Sequence, residues 1–450
     1  MKSFDRIVLL ILGAAAVLIL LLVLLGDRVG VQVTAFFPEE GQSVSARGKI
    51  GLRFNQEMEQ SSVEERFSIE PTMPGSFLWE DQTLWFNPLE TWQPDQVYRF
   101  TIQAGAQSQD GREVLQEINW QAEVRQPDIL YLALGEHGGD IWRLSLETGT
   151  AFQLTDTDYS IFDYAPHPAG ESIAYSQVNE NGGMDLVWVD RDGNFSNSLI
   201  ACEQDICNQP AWSPDGVFIA YVRETYNSSE GRFEDPSVWT VHVQSGDTTP
   251  LYPTGTIYSH SPTFSPDGSR LASYDIDQEA IRVLNLETSE EFLIPSDFPT
   301  TGDWSPDGDA MVFIDLLPTE AEPFGGIYLA DLVEGQITQA LGDFIEGFDY
   351  SPPRWSPKDD WIAFSVRPIG GGVSKMLSVQ KLGEHNPIQI TQDLSATYSA
   401  YQWDPWGEQL VFQRFGLSAT DRQPSIWLWD WETGVKRLLV ENGARPIWLP

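Results

Sequence analysis

Basic residues are scarce in this chain: 26 Lys and Arg stand against 66 Asp and Glu over 450 residues, a formal net charge of −40. A surface of that sign repels phosphate backbones, which argues against nucleic acid as a partner. It also repels anionic lipid headgroups, so any membrane contact has to be hydrophobic. Cationic proteins or peptides and divalent metals remain as partners, and solubility alone is the plainer reading of the charge. Cysteine is nearly absent. The only two, Cys202 and Cys207, lie in Cys-Glu-Gln-Asp-Ile-Cys. Four intervening residues can close a small loop, so a disulfide is expected in an oxidising compartment and two free thiols in the cytosol. No second Cys or His pair accompanies them to complete a metal site.

Histidine is also sparse. His137, His167, His242, His260 and His385 show no His-x-His or His-Glu-x-x-His spacing, and no Gly-x-Ser-x-Gly nucleophile elbow occurs. The expectation is therefore a chain without catalytic residues, metal ligands or cofactor, a binding protein rather than an enzyme. Calcium is the one ion worth weighing. Asp190-Arg-Asp-Gly-Asn194 looks like the opening of a calcium loop, but Phe195 and Ala201 stand where that loop wants Gly and Glu, so a hairpin turn is the better reading.

Long apolar runs are limited to one, Ile7 to Leu25. As a helix it would rise roughly 28 Å, about one hydrocarbon core. Lys2 and Arg6 precede it and acidic sequence follows. The reading is a transmembrane anchor over residues 1–30, with the N-terminus cytoplasmic and the bulk of the chain periplasmic or extracellular. A cleaved signal peptide is the alternative. It is disfavoured because Leu-Leu-Gly-Asp-Arg follows the run in place of a small-x-small site.

What the sequence has in quantity is short alternating segments. Over residues 31–125, Val31 to Phe36, Lys49 to Phe54, Arg66 to Pro71, Thr83 to Phe86, Val97 to Ile102 and Ile118 to Val124 read as strands, with Asp110-Gly111 as a turn. Strands at that spacing, with no strong helix, predict a sandwich. Phe37-Pro-Glu-Glu-Gly41, Leu52-Arg-Phe-Asn-Gln-Glu-Met58, the segment from Leu89 to Ile102 and Asp110-Gly-Arg112 together resemble the bacterial Ig-like domain. The resemblance implies a spacer or adhesion module and transfers no catalytic residue.

From residue 126 to 450 one segment recurs. Its clear copies carry Trp212, Pro214, Asp215 and Gly216, then Phe264, Pro266, Asp267 and Gly268, then Trp304, Pro306, Asp307 and Gly308; Trp355 with Pro357 and Trp403 with Pro405 mark degraded ones. Ser-Pro-Asp-Gly is turn chemistry: Pro presets φ, Asp accepts backbone hydrogen bonds and Gly takes positive φ. That role explains the aspartates without a ligand. The aromatic ends one strand and can pack between neighbouring sheets, and the Ile-Ala-Tyr type run after the turn is the next strand. Spacings of 40 to 52 residues between copies suit a four-stranded propeller blade. Counting third strands gives seven blades, with six as the fallback. Because residues 129–155 lack a first strand and 445–449 supply one, the C-terminal strand is expected to close the ring. Trp-Ser-Pro-Asp-Gly followed by Ile-Ala-Tyr resembles the TolB-like, WD-repeat-like propellers of bacterial envelopes, and the same repeat occurs in prolyl-oligopeptidase-like peptidases.

The sequence thus predicts an all-β chain: N-terminal helix, Ig-like β-sandwich, TolB-like β-propeller. The expected function is binding or scaffolding of a protein or peptide ligand in the cell envelope. The alternative is a propeller hydrolase or lyase acting on envelope peptide or carbohydrate.

Overall fold

The computed structural model describes residues 11–18, 20, 30–39, 41–135, 138–158, 160–317, 324–341, 347–419 and 421–450. The chain divides into two compact bodies, Met1–Arg125 and Gln126–Pro450. The expected single-pass anchor is corrected here: among the described residues no helix is long and apolar enough to cross a membrane. Residues 11–18 are helical, but eight residues rise only about 12 Å against a hydrocarbon core of roughly 30 Å. The rest of the run from Ile7 to Leu25, apart from residue 20, lies outside the described residues.

In the N-terminal body the alternation of apolar residues resolves into two four-stranded sheets. One orders Val33–Phe37, Ile50–Phe54, Thr83–Pro88 and Gly75–Glu80; the other orders Ser43–Val44, Ile118–Val124, Val97–Ile102 and Phe67–Glu70. Period two puts every second residue of Ile118–Val124 in the core and its neighbours outside. Aromatics bridge the sheets, as in Phe67 on Phe86 at 5.7 Å and Phe36 on Trp120 at 5.4 Å between ring centroids. Each buried ring contributes about 1.5–3 kcal/mol by transfer from water. The strand Gly75–Glu80 and the short helix Gln60–Glu64 go beyond the sequence reading.

In the C-terminal body strands pair antiparallel in runs of four. Module 1 is Gly443–Leu449, Asp128–Leu134, Gly139–Leu144 and Ala151–Gln153, in that order of pairing. Its first strand therefore comes from the far end of the sequence. The first strands of the later modules are Ile161–Pro166, Ile206–Trp212, Ser259–Phe264, Asp303–Trp304, Phe348–Tyr350 with Arg354–Trp355, and Ala396–Trp403. Each is followed by three partners in sequence order. In modules 2 to 4 the second strand is the most buried, as with Ile219, Ala220, Tyr221 and Val222. Packing between sheets on both faces explains why these segments read as continuous apolar runs.

Candidate functional site

The repeated turn is a joint between modules. Ser213 Oγ donates to Asp215 Oδ1 at 2.5 Å and accepts from the Phe218 N–H at 2.9 Å; Asp215 also accepts from Val217 N–H at 3.0 Å. Ser265 with Asp267 and Ser305 with Asp307 repeat this at 2.5 Å. The hydrogen bond from Ser305 holds the Asp307 carboxyl below the usual range. At Asp267 burial pushes upward, but hydrogen bonds from Ser265 and Ser269 outweigh it. These carboxylates are occupied by their own turns. Gly216, Gly268 and Gly308 have φ of 73°, 75° and 78°, where a Cβ is unfavourable. Close approach adds a second reason at Gly216, since a Cβ there would stand 2.1 Å from His167 Nε2 of the preceding module.

The aromatic before the turn also reaches backward. Trp212 Nε1 donates to Ala165 O at 3.0 Å, Trp403 to Arg354 O at 3.2 Å and Trp448 to Gln402 O at 3.0 Å, each on the preceding module. Trp304 and Trp355 are buried with Nε1 bonding nothing among the described residues, and Phe264 has no N–H to place. Pro214 lies against Gly268 of the next turn at 3.5 Å from where its Cβ would be. Pro266, Pro306, Pro357 and Pro405 hold the same turn position.

Cys202 and Cys207 form a disulfide with Cα atoms 6.3 Å apart, both buried. The loop they close sits where module 2 meets module 3. Asp185 Oδ1 accepts from Cys202 N–H at 2.8 Å, and Met184 pairs in parallel with Ile206.

A feature beyond the sequence reading is a register shift on five of the first strands, at Ile161/Tyr164, Asn208/Ala211, His260/Thr263, Ser399/Gln402 and Ala444/Ile447. Within four of these shifts a non-glycine residue is left-handed: Gln209 (φ 52°), Ser261 (55°), Ala400 (46°) and Arg445 (52°). Bulges re-aim side chains, and strain of this kind gathers at functional places. The bulges are stitched across modules. Gln209 Oε1 accepts from Ser261 N–H at 2.8 Å, Thr301 Oγ1 donates to Ser261 O at 3.0 Å, and Arg445 N–H donates to Gln413 Oε1 at 2.9 Å.

A cavity of about 380 Å³ opens at the bulges of modules 1, 2 and 7, with Leu132, Leu134, Ile161 and Phe162 as apolar wall and Gln413 and Arg445 as polar rim. Leu134 and Phe162 are 51% and 39% exposed there. Arg445 Nη1 donates to Phe162 O and, at 2.9 Å, to Asp163 Oδ1. The Tyr164 hydroxyl donates to Arg445 O, and its burial raises its pKa despite the nearby guanidinium. Elsewhere on the bulges His260 Nδ1 lies 2.9 Å from Ser261 Oγ, with the imidazole pushed toward its neutral form by burial. No carboxylate is bonded to that imidazole among the described residues. His137 lies outside the described residues.

The Asp190 turn is a hairpin whose Asp190 Oδ1 accepts from Phe195 N–H at 3.0 Å. Among the described residues no group of three or more His, Cys, Asp or Glu is placed to hold a metal ion. The tryptophans at 429 and 431 pack across modules, Trp431 lying 4.7 Å from Trp361 and 5.3 Å from Trp429. The signal for Arg445 was its departure from the repeat. Aligned on the turn, its position is held by Asp163, Gln209, Ser261, Thr301, Pro352 and Ala400 in the other copies. The two charged members of that set, Asp163 and Arg445, meet.

Residues 27–121 match the bacterial Ig-like domain family. No curated protein matches the chain. Solved structures similar to it are β-propeller proteins. A prolyl endopeptidase structure shares 11% identity at TM-score 0.51 over 78% of this chain and 49% of that one, so the chain spans about half that protein's length. The β-propeller domain of the trilobed protease from Pyrococcus furiosus shares 13% at 0.48, over 77% and 93%. A putative TolB from Agrobacterium tumefaciens shares 20% at 0.41, over 55% and 84%. Identities this low speak to fold alone.

Proposed function

We propose that this chain is an extracytoplasmic protein of the bacterial cell envelope that binds a protein or peptide on its propeller. In this reading residues 126–450 form seven blades, the strand Gly443–Leu449 closes the ring onto Asp128–Leu134, and residues 31–125 serve as a spacer. The observation that carries it is the cavity at the three bulges. Its wall is apolar and partly exposed, and its rim offers an amide and a guanidinium. That is the composition of a recognition pocket rather than of acid–base or nucleophilic chemistry. The buried disulfide suits an oxidising compartment.

The test is capture from a bacterial envelope extract with wild-type protein and a Phe162→Asp variant. The reading expects a protein enriched by the first and lost with the second. Equal enrichment by both, or none by either, would count against it. The alternative, a propeller hydrolase or lyase, has the His260–Ser261 contact in its favour. It requires a turnover of envelope peptide or carbohydrate that Ser261→Ala abolishes.

A further inference from the structure

We infer that the cavity at the bulges takes a carboxylate carried on an apolar residue, presented as the C-terminus of a basic partner segment. This rests on the binding reading above and names the chemistry of its ligand.

The guanidinium of Arg445 has five N–H donors in a planar fork. Nη1 is spent on Phe162 O and Asp163 Oδ1, which fixes the plane of the group. Nε and Nη2 bond nothing among the described residues, and they form the edge that grips a carboxylate with two parallel bonds. The side chain is 56% exposed, so the edge is reachable. Its backbone, at left-handed φ, is held from two sides: by the Gln413 side chain on its N–H and the Tyr164 hydroxyl on its carbonyl. A residue pinned this firmly loses little freedom on binding.

The apolar half of the ligand follows from the wall. Leu134 and Phe162 are exposed large side chains in a concave site. A volume of about 380 Å³ lies at the small end of ligand pockets, enough for one or two residues. The remainder of the partner follows from charge. A net −40 surface repels an acidic chain and attracts a basic one, so only the terminal carboxylate needs a cation.

The experiment uses the full chain and three fluorescent peptides of one Lys-rich sequence: ending in Leu with a free carboxylate, ending in Leu amide, and ending in Leu-Glu amide. Anisotropy titrations are run on wild type, Arg445→Ala and Arg445→Lys. Ala400 occupies the aligned position with φ 46°, so R445A asks nothing of the backbone that the fold does not already accept. The free acid should bind wild type at least about tenfold more tightly than the amide, the value of one charge-assisted pair. That ratio should fall below about twofold in both variants. Added salt should weaken all three peptides together and leave the ratio standing. A Leu-Glu amide as tight as the free acid would assign the carboxylate to a side chain and overturn the C-terminal source. Acid and amide binding wild type equally, or a ratio unchanged in R445A, would overturn the inference while leaving peptide binding intact. No binding by any of the three would overturn it as well, and the envelope capture then judges the broader reading separately.

Discussion

Replacing Asp404 by Ser should stabilise the C-terminal body at neutral pH and flatten its pH dependence. In the seventh module's turn, Trp403-Asp-Pro-Trp-Gly407, an Asp stands where the clear copies have Ser. It does the serine's work: Oδ1 accepts from Gln409 N–H at 2.9 Å, as Ser213 Oγ accepts from Phe218, and from Glu408 N–H at 2.7 Å. The carboxyl is 3% exposed, and burial pushes its pKa up to about 6 from 3.8, with those two backbone bonds only partly opposing. The folded pKa lies above the unfolded one, so between about pH 4 and 6 the folded chain holds the extra proton. Stability from this group is therefore present below the unfolded pKa and lost as pH rises through 6. At about 1.36 kcal/mol per tenfold step in proton affinity, the full loss is roughly 3 kcal/mol. Ser carries no such penalty, and Ser356 shows that the turn works with Lys358 in place of its Asp partner. Weaker hydrogen bonds from a neutral hydroxyl take back part of the gain, leaving about 1–3 kcal/mol. Urea midpoints of D404S and wild type between pH 4 and 8 read this directly. The curves should nearly coincide at pH 4 and separate by pH 7, with the variant higher. A separation independent of pH, or a variant less stable at pH 7.5, would refute the reasoning; D404N, which keeps the shape, guards against a cavity effect.

Cys202→Ser with Cys207→Ser should lower the unfolding free energy by about 2 kcal/mol, the chain-entropy value for a loop this short, seen as a urea midpoint shift that reductant reproduces in wild type. Trp212→Phe should cost about 1 kcal/mol more than Trp304→Phe, because only the first indole has a carbonyl acceptor, Ala165 O; thermal melts of the pair check it. Gly216→Ala should destabilise well beyond Gly246→Ala. Both have φ near 74°, but a Cβ at 216 meets His167 and one at 246 meets nothing within 4 Å. Equal melting shifts for the two would show that left-handed geometry, and not contact between modules, sets the requirement.

The strands and turns were legible because their causes are local. Ser-Pro-Asp-Gly carries its own hydrogen bonds within five residues, and period-two burial needs only one face to be wet. The bulges were not legible. Left-handed positions are signalled by Gly or Asn, and here they fall on Gln209, Ser261, Ala400 and Arg445, imposed by neighbours in other modules. Nor was the cavity, since Arg445 meets Phe162 and Asp163 across more than 280 residues of sequence. The sequence did carry a trace of it, in that Arg445 departs from the residues aligned with it.

That trace has a general physical basis. In a repeat whose recurring turn is committed to joints, the motif residues are not available to a ligand: the hydroxyls and carboxylates of the clear copies are bonded within their own turn, the Trp212 indole is bonded to the preceding module, and the Trp304 and Trp355 indoles are buried. Chemistry that differs between modules has to come from positions outside that turn. The bulge position is one such place: it takes Ser, Gln, Ala and Arg at nearly the same φ, and what each side chain bonds differs from module to module. A scan that exchanges bulge residues, Arg445→Ser against Ser261→Arg, should therefore cost stability only through the side-chain contacts each removes, those of Arg445 to Phe162 O and Asp163 and that of Ser261 Oγ to His260, about 1 kcal/mol apiece. It should move peptide binding sharply for the first and little for the second, since only at 445 do apolar walls adjoin the cation.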